Sequence, residues 1–442
     1  MIIIIGNGIS GVTAARNIRK KSDEPITIIS AESKYFFSRT ALMYVYMGHM
    51  KFEHTQPYEP YFWEKNRIEL KQTFVESIDT DNKLLSCSGG EQLSYSKLIL
   101  ATGSKPNKFG WKGQDANRVQ GLYSKQDLEN MEANTKGIKS AVVIGGGLIG
   151  IEMAEMLLTR HIEVHFLVRE KTFWSGVLPQ ADSLFIMKHF EKHHGLHMHY
   201  GMELDEIHTD DTNSAIGITT KDGQKIDCQF VGLTAGVSPN IEFIKSSNIE
   251  TNRGILVNRY LETSVKDVYA IGDCAEFTEP VPGRRPIEQV WYTGKFMGET
   301  VAHTVTGNRS KYDPGYWFNS AKFFDIEYQT YGDVRNTLQE GETEFVYQHS
   351  KEEVLLHFVF DEKTHRFIGI NNFGVRLRHM VFNEWLKKEA TMEEVLTDLR
   401  SANFDPEFYS TYESEIVDQF NKQFGTNITV AKRKWWQNLI TS

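Results

Sequence analysis

The chain begins Met1-Ile2-Ile3-Ile4-Ile5-Gly6-Asn7-Gly8-Ile9-Ser10-Gly11, an apolar run that passes directly into three glycines spaced GxGxxG. A short run rich in β-branched residues is typical of a buried parallel strand. In this pattern the glycines allow a tight turn, close approach of the backbone to a pyrophosphate, and close packing of strand against helix. The phosphates then lie at the N-terminus of the helix. This stretch therefore predicts a strand, a phosphate-binding turn and a helix.

The same pattern occurs a second time, in Ala141-Val142-Val143-Ile144-Gly145-Gly146-Gly147-Leu148-Ile149-Gly150. One such pattern alone is weak evidence, because a glycine-rich turn can produce it by accident. Two of them imply two dinucleotides in one chain, and an enzyme that binds two dinucleotides usually passes electrons between them. The expected fold class is α/β, with two Rossmann-like dinucleotide-binding domains.

A carboxylate follows the second predicted strand. Residues 25–30 form that strand, and Glu32 comes after it, about 20 residues past Gly11. A carboxylate at this distance is expected to accept hydrogen bonds from the ribose hydroxyls of the nucleotide. The alternative is a solvated loop glutamate, and the spacing favours the ribose role.

Composition restricts the class of protein. The 442 residues are more than a single hydrophobic core usually contains, so several domains are expected. A formal net charge of −9 argues against nucleic acid as a partner. No apolar segment approaches the ~18 residues of a membrane-spanning helix. The N-terminus lies inside the first strand and leaves no room for a signal peptide, so a cytoplasmic protein is expected.

The cysteines bear on mechanism. Cys87, Cys228 and Cys274 are scattered and form no CxxC or CxxxxC pair. Many enzymes with two dinucleotide-binding domains relay electrons through a cysteine pair. This chain is expected to work without one, and it is predicted to bind no metal.

Four further stretches carry a resemblance to a known family. Residues 26–42 look like the second strand and flavin-contacting loop of FAD-dependent pyridine nucleotide-disulfide oxidoreductases, residues 73–79 like the adenine-contacting strand, residues 98–106 like the ATG motif, and residues 268–275 like the GD motif. The resemblance covers roughly residues 1–310. It is closest to ferredoxin and rubredoxin reductase-like and nitrite reductase large subunit-like members, which lack the redox cysteine pair.

The resemblance implies FAD as the first nucleotide and a set of residues that contact it. These are Gly6, Gly8, Ile9, Ser10, Gly11, Glu32, Arg39, Val75, Ala101, Thr102, Gly103, Gly272, Asp273 and Trp291. Asp273 is expected at the ribityl chain, and Trp291 either at the isoalloxazine or in ordinary core packing. The flavin loop departs from the family pattern YxRPPLSK, because Tyr44 stands at the lysine position.

The second glycine pattern is similar to the family's NAD(P)H-binding motif GGGxIGxExA. Gly145, Gly147, Leu148, Ile149, Gly150 and, from a later loop, Gly236 are the expected contacts. The resemblance places Glu152 near the flavin and the nicotinamide, as the candidate catalytic residue. The alternative is that Glu152 has no catalytic role and only stabilises the first turn of the helix by its interaction with the helix dipole.

Two residues at the end of the following strand bear on the choice of nicotinamide cofactor. Arg169 stands where NADPH-dependent relatives place an arginine against the 2′-phosphate. Glu170 follows at once, would repel that phosphate, and suits a free hydroxyl. The prediction is therefore NAD(P)H, with both cofactors left open.

Three domains are expected. An FAD-binding domain comprises residues 1–112 and 252–312, an NAD(P)H-binding domain residues 113–251, and a C-terminal α+β interface domain residues 313–442, with a homodimer expected. Residues 431–440 join three basic residues to two tryptophans. Such a segment can make peripheral membrane contact, although packing on the interface domain is favoured.

The predicted function is electron transfer from NAD(P)H through FAD to an external acceptor. An iron–sulfur or rubredoxin-type protein is the first choice, and a small-molecule acceptor is the other. Two alternatives stay open at this point. One is a membrane-docked quinone or oxygen reductase, and the other is a flavin-bound redox signalling or scaffold protein resembling apoptosis-inducing factor.

Overall fold

The computed structural model describes residues 1–404 and 410–431. Two compact units divide the chain. The first consists of Met1–Arg169 and Gly195–Pro314, and the second of Glu170–His194 with the described residues from Gly315 onward.

The described residues contain strands and helices throughout both units. The strands are β1 Ile2–Ile5, β2 Ile26–Ser30, β3 Ile68–Gln72, β4 Val75–Asp79, β5 Leu84–Cys87, β6 Gln92–Ser94, β7 Lys97–Leu100, β8 Ser104–Pro106, β9 Val119–Gln120, β10 Ser140–Ile144, β11 Glu163–Val168, β12 Leu196–Tyr200, β13 Leu204–Thr209, β14 Ala215–Thr220, β15 Lys225–Asp227, β16 Val231–Leu233, β17 Val237–Pro239, β18 Ile255–Val257, β19 Val268–Ala270, β20 Ala275–Phe277, β21 Phe318–Phe323, β22 Ile326–Gly332, β23 Glu342–Gln348, β24 Leu355–Asp361 and β25 Phe367–Phe373. The α-helices are α1 Ile9–Arg19, α2 Leu42–Tyr46, α3 Pro60–Lys65, α4 Lys125–Asn134, α5 Leu148–Thr159, α6 Gln180–Phe190, α7 Trp291–Val305, α8 His379–Lys387, α9 Met392–Thr397 and α10 Glu413–Phe424.

The first glycine pattern opens a parallel sheet in the order β19-β7-β1-β2-β3. Its central strand β1 consists of four isoleucines, all of them buried, as a strand covered on both faces requires. Helix α7 packs against α1, and a Cβ on Gly298 of α7 would press against the Ser10 carbonyl. The strand order changes direction beside β1, as it does in doubly wound sheets. In such sheets ligands bind at the carboxyl ends of the strands.

The second glycine pattern opens a second parallel sheet in the same unit, in the order β12-β11-β10-β16-β9. Strand β10 leads into α5 as β1 leads into α1. Two small antiparallel sheets, β4-β5-β6 and β13-β14-β15, and the pairs β8–β17 and β18–β20 complete this unit. The predicted α/β class with two Rossmann-like sheets is confirmed.

The second unit is built on an antiparallel sheet in the order β21-β22-β25-β24-β23. Phenylalanines of its strands pack with α8, α9 and α10 in one apolar core, where Phe345 and Phe420 meet edge to face at 5.1 Å. The α+β character expected for the C-terminal region is present in this unit.

The segment Glu170–His194, which connects β11 to β12, packs within the second unit. The ring centroids of Phe173 in this segment and Phe323 in β21 are 5.7 Å apart. Those of Phe185 in the segment and Phe373 in β25 are also 5.7 Å apart. Sequence analysis assigned this segment to the NAD(P)H-binding domain, and the expected domain boundaries stay a prediction.

Within the part of the chain that the structure describes, no helix has both the length and the apolar composition needed to cross a membrane. Most of the basic and tryptophan-rich C-terminal segment, residues 432–440, lies outside the described residues.

Candidate nucleotide-binding and redox site

The first cradle is the turn between β1 and α1. Gly6 has φ +112°, and a Cβ there would overlap the carbonyl oxygen of Ala101, so only glycine lets the two strand ends meet. A Cβ on Gly11 would overlap the carbonyl of Gly6. Gly8 differs, because a Cβ there would meet no atom within 4 Å. The middle glycine therefore borders open space, as a backbone that touches a phosphate must.

The second cradle, between β10 and α5, repeats this division of roles. Gly145 has φ +117°, and a Cβ on it would lie 2.7 Å from the backbone of Thr234. A Cβ on Gly150 would overlap the Gly145 carbonyl, whereas one on Gly147 would meet no atom within 4 Å. Two turns of one chain thus have the same close contacts and the same open position.

A cavity of about 930 Å³ begins at the first cradle. This volume lies at the upper end of the roughly 300–1,000 Å³ usual for ligand pockets. The predicted site residues that line it are Gly6, Gly8, Ile9, Ser10, Glu32, Arg39, Val75, Ala101, Thr102, Gly103, Leu148, Ile149, Glu152, Asp273 and Trp291. The cavity therefore extends from the first cradle to the first turn of α5. The other predicted residues lie outside its lining, namely Gly11, Gly145, Gly147, Gly150, Arg169, Glu170, Gly236 and Gly272.

Glu32 is held at the cavity wall by two neighbours. Arg39 donates to both carboxylate oxygens, at 2.9 and 2.7 Å, and the backbone N–H of Lys125 donates to Oε1 at 2.8 Å. A carboxylate has about four acceptor positions, so one remains for a ribose hydroxyl. Burial opposes the charge of Arg39, but Glu32 outweighs it and raises the arginine pKa.

Asp273 is a buried carboxyl at the opposite wall. Burial raises its pKa, while the hydroxyls of Ser104 and Tyr123 donate to Oδ2 at 3.2 and 3.3 Å. The Tyr123 oxygen also accepts from the Ser104 backbone N–H at 2.9 Å. Asp273 was predicted from the sequence, but Ser104 and Tyr123 were not. Ser104 directly follows Ala101-Thr102-Gly103 and could have been found from that motif, whereas no motif marks Tyr123.

Glu152 lies on the first turn of α5, at the far end of the cavity. Burial, and secondarily the charge of Glu155, raises its pKa to about 7. Helix α2, which carries Tyr44 at the family's lysine position, packs against α5. With this raised pKa, part of the Glu152 carboxyl population holds a proton near neutral pH.

The remaining predicted residues have the following places. Val75 is buried at the start of β4, and Trp291 is the first residue of α7, with 37% of its surface exposed. Arg169 is exposed just after β11, where its charge lowers the pKa of Glu203 after the larger effect of Lys221. Gly236 has φ +85° and follows β16.

All three cysteines lie in the described residues, and none of them lines the cavity. Each is buried and free. Burial raises the pKa of every thiol, to about 12 for Cys228, so none is present as the reactive thiolate at neutral pH.

The site fits a bound dinucleotide on two observations. Neither α1 nor α5 receives a side-chain cap from the described residues at its glycine N-cap, which leaves backbone N–H groups for an anion. Asp273, with its carboxyl turned to the cavity, is the kind of acceptor that a ribityl hydroxyl needs. FAD in the cavity and NAD(P)H at the second cradle fit these residues.

Fold and site together define an oxidoreductase with two dinucleotide-binding cradles. The chain belongs to the pyridine nucleotide-disulphide oxidoreductase family, whose model matches residues 1–298. The predictions of an FAD- and NAD(P)H-dependent flavoprotein oxidoreductase, and of its family, are confirmed.

Individual relatives are similar over the same region. An NADH-rubredoxin oxidoreductase of Clostridium acetobutylicum is 31% identical over 283 residues, which are 64% of this chain and 70% of the relative. A nitrite reductase [NAD(P)H] of Bacillus subtilis is 32% identical over 279 residues, 62% of this chain and 34% of that protein. Among solved structures, a ferredoxin reductase from Rhodopseudomonas palustris matches 84% of this chain and 91% of its own, with a TM-score of 0.76 and 25% identity.

Proposed function

We propose that this protein passes electrons from NAD(P)H through FAD to a small redox protein of the iron–sulfur or rubredoxin type. One observation carries the proposal. A single cavity joins the first cradle to the first turn of α5 at Glu152, and its described lining contains no cysteine. The similarity to an NADH-rubredoxin oxidoreductase and to a ferredoxin reductase supports the choice of acceptor.

Bound FAD supplies the chemistry of accepting an electron pair and releasing electrons singly. The chain supplies the binding. The uncapped N-terminus of α1 would hold the pyrophosphate beside Gly8, and the free acceptor position of Glu32 would hold the ribose. Asp273, positioned by Tyr123, would accept from the ribityl chain, and Val75 would pack on the adenine.

The first turn of α5 would face the nicotinamide. Leu148 and Ile149 give this end of the cavity an apolar wall. Glu152 there would hydrogen-bond the carboxamide of the nicotinamide, because its raised pKa favours the protonated carboxyl, which can both donate and accept. Since no thiol lines the cavity, the electrons would leave toward an external acceptor.

Acceptor-dependent oxidation of NAD(P)H tests the proposal. The purified FAD-loaded protein is assayed with a rubredoxin, a [2Fe–2S] ferredoxin, a soluble quinone and oxygen alone. Reduction of one of the two proteins well above the oxygen rate is the expected result. A rate of quinone reduction above the rates with both redox proteins would favour the alternative of a quinone reductase. Rates that never exceed the oxygen background would favour the scaffold protein, and protein that stays colourless with added FAD would contradict all three.

The nicotinamide preference rests on Arg169 and Glu170, and we propose that either cofactor binds. In stopped-flow reduction of the flavin, Arg169→Ala is expected to weaken NADPH binding about tenfold and to leave NADH unchanged, since the 2′-phosphate loses a cation. Glu170→Gln is the matched variant and should favour NADPH. An Arg169→Ala protein with unaltered NADPH binding would show that this arginine does not contact the phosphate.

The homodimer and the cytoplasmic location are also part of the proposal, and peripheral membrane contact through the C-terminal residues is its less favoured alternative. Sedimentation of the full chain tests the first, and fractionation of cells with and without residues 432–442 tests the other two. Activity that stays in the membrane fraction only when these residues are present would favour the membrane contact.

A further inference from the structure

A cluster of three side chains in the second unit directs one ligand atom each to a common point. His189 is on the last turn of α6, His193 follows the helix, and Asp325 lies in the turn between β21 and β22. The two Nε2 atoms are 3.1 Å apart. Oδ1 of Asp325 is 2.9 Å from Nε2 of His189 and 3.6 Å from Nε2 of His193.

These distances fit three ligands of one small cation. Zinc bonds of about 2.0–2.1 Å in a tetrahedral site place neighbouring ligand atoms roughly 3.3 Å apart. The three distances in the cluster lie on both sides of that value. Two imidazoles and one carboxylate are also the donor types that zinc accepts.

Glu353 fixes the orientation of the buried His189 ring. Its Oε1 lies 2.8 Å from Nδ1 of His189 and 2.7 Å from Nζ of Lys192. With Nδ1–H donating to this carboxylate, the lone pair of Nε2 points to the common point. Carboxylates hold metal-binding histidines in this way in many proteins.

The turn that carries Asp325 is strained. Only Phe324 and Asp325 separate β21 from β22, and Phe324 has φ +55°, which is unusual for a bulky residue. Its ring stacks on that of His193 with centroids 4.0 Å apart. The turn thus fixes one ligand directly and a second through ring stacking, which is the kind of site where strain is retained.

We propose that His189, His193 and Asp325 bind a Zn²⁺ ion that fastens the segment Glu170–His194 to the β21–β22 hairpin. Glu353 is a positioning residue that keeps Nε2 of His189 free for the metal. Asp325 is 75% exposed, so water from solvent takes the fourth position. The ion acts on stability and takes no part in the redox reaction.

Calorimetric titration of the purified full-length protein with Zn²⁺, after treatment with EDTA, tests the proposal. One ion per chain with a Kd below about 1 μM is expected, with a rise in Tm of about 5 °C at saturating ion. Asp325→Asn and His193→Gln should each weaken binding at least about 100-fold, and Glu353→Gln about 10–100-fold. His194→Gln, an exposed neighbour outside the cluster, is the matched control and should bind as the wild type does.

Substitution with Co²⁺ supplies a spectroscopic readout, because its ligand-field bands should appear in the control and vanish in Asp325→Asn. Equal Zn²⁺ binding by the control and Asp325→Asn would overturn the proposal. Binding that is lost only in His165→Gln would also overturn it, since it would place the ion at the pair His165–His199, whose ring nitrogens are 3.0 Å apart. A wild-type Kd above about 100 μM would overturn it as well.

Discussion

At the scale of single residues, two buried carboxyl groups of the cavity differ in the groups that surround them. Asp273 keeps two hydroxyl donors, whereas Glu152 stands beside another acid, and burial raises its pKa to about 7. The family's usual lysine is replaced by Tyr44 in this chain. The charge of Glu152 is therefore reduced by binding a proton, and not by pairing with a lysine ammonium group.

Glu152→Gln should therefore change how stability depends on pH. An acid whose pKa rises on folding, here from 4.5 to about 7, holds its proton more tightly in the folded state. The wild type accordingly loses stability as pH rises from about 4.5 through 7, by on the order of 3 kcal/mol. The glutamine of the variant cannot ionise, so the stability of the variant relative to the wild type should be higher at pH 8 than at pH 4.5. Thermal unfolding at the two pH values measures this difference. Glu64→Gln, on the exposed face of α3, should show no such difference, and an equal gain at both pH values would contradict the assignment.

Tyr123→Phe should weaken FAD binding about tenfold. The change removes one donor from Asp273 and one acceptor from the Ser104 N–H, a loss of about 1–1.5 kcal/mol. Titration of the FAD-free protein with FAD, followed by flavin fluorescence, measures the affinity. Tyr61→Phe, at a tyrosine that is 67% exposed, is the control. Unchanged affinity in Tyr123→Phe would mean that Asp273 is positioned without this hydroxyl.

Motifs explain which site residues could be predicted. Glu32 and Asp273 stand at fixed spacings from glycines or within a recognised motif, so the sequence alone identifies them. Tyr123 reaches Asp273 across 150 residues of sequence, and no local pattern records such a contact. Arg39 was predicted as a cofactor contact, but its bidentate bond to Glu32 required the fold.

At the scale of elements, the two cradles are separate devices with the same construction. Each begins with a glycine of positive φ and ends with one whose Cβ would overlap the first glycine's carbonyl. The spacing GxGxxG was sufficient to predict both strand–turn–helix units, because the steric requirement is local. Damage to one cradle should accordingly affect its own nucleotide more than the other.

Gly150→Ala should raise the KM for NAD(P)H at least about tenfold and lower the FAD content less than Gly11→Ala does, because the new methyl group displaces α5, whose first turn lines only the far end of the FAD cavity. Gly11→Ala should do the reverse and lower the FAD content of the purified protein. Absorbance of the bound flavin and steady-state kinetics separate the two effects. Gly176→Ala is the control, since a Cβ there would meet no atom within 4 Å. A loss of FAD from Gly150→Ala as large as that from Gly11→Ala would contradict the separate roles of the cradles.

Helix α6 shows where local patterns fail. Its place between β11 and β12 falls within the range expected for the NAD(P)H-binding domain. Phe185 of α6 instead contacts Phe373 of β25, and Asp182 of α6 accepts from Asn371 of β25, both more than a hundred positions later in the sequence. Periodicity shows that a helix has an apolar face, but it does not show which sheet covers that face.

At the scale of the whole molecule, one charged group ties the segment Glu170–His194 to the rest of the second unit. His357 of β24 is fully buried and donates to Asp182 of α6 at 2.7 Å and to Glu344 of β23 at 3.1 Å. Burial opposes its charge, but these hydrogen bonds outweigh burial and raise its pKa to about 9. Asn371 donates to the second oxygen of Asp182 at 2.7 Å.

The unfolding temperature should fall as the solution becomes alkaline. A histidine whose folded pKa is about 9 and whose ordinary pKa is 6.5 contributes its full stabilisation below pH 6.5 and loses it as pH rises through 9. The expected loss is on the order of 2–3 kcal/mol. Calorimetry at pH 6.5 and 9.5, with EDTA present, measures it. His357→Gln should be less stable at pH 6.5 and lose less between the two values, whereas His194→Gln should follow the wild type.

The early position of Glu170–His194 in the sequence has a consequence for how the protein is made. A ribosome adds about 5–20 residues per second, so on the order of ten seconds or more pass between synthesis of this segment and completion of β25. During that interval Phe173, Phe185 and Phe190 have no strands to cover them. Nascent chains of this protein therefore expose an aromatic helix to the cell at the stage when its nucleotide-binding sheets are still unfinished, and chaperones that bind apolar segments are suited to cover it.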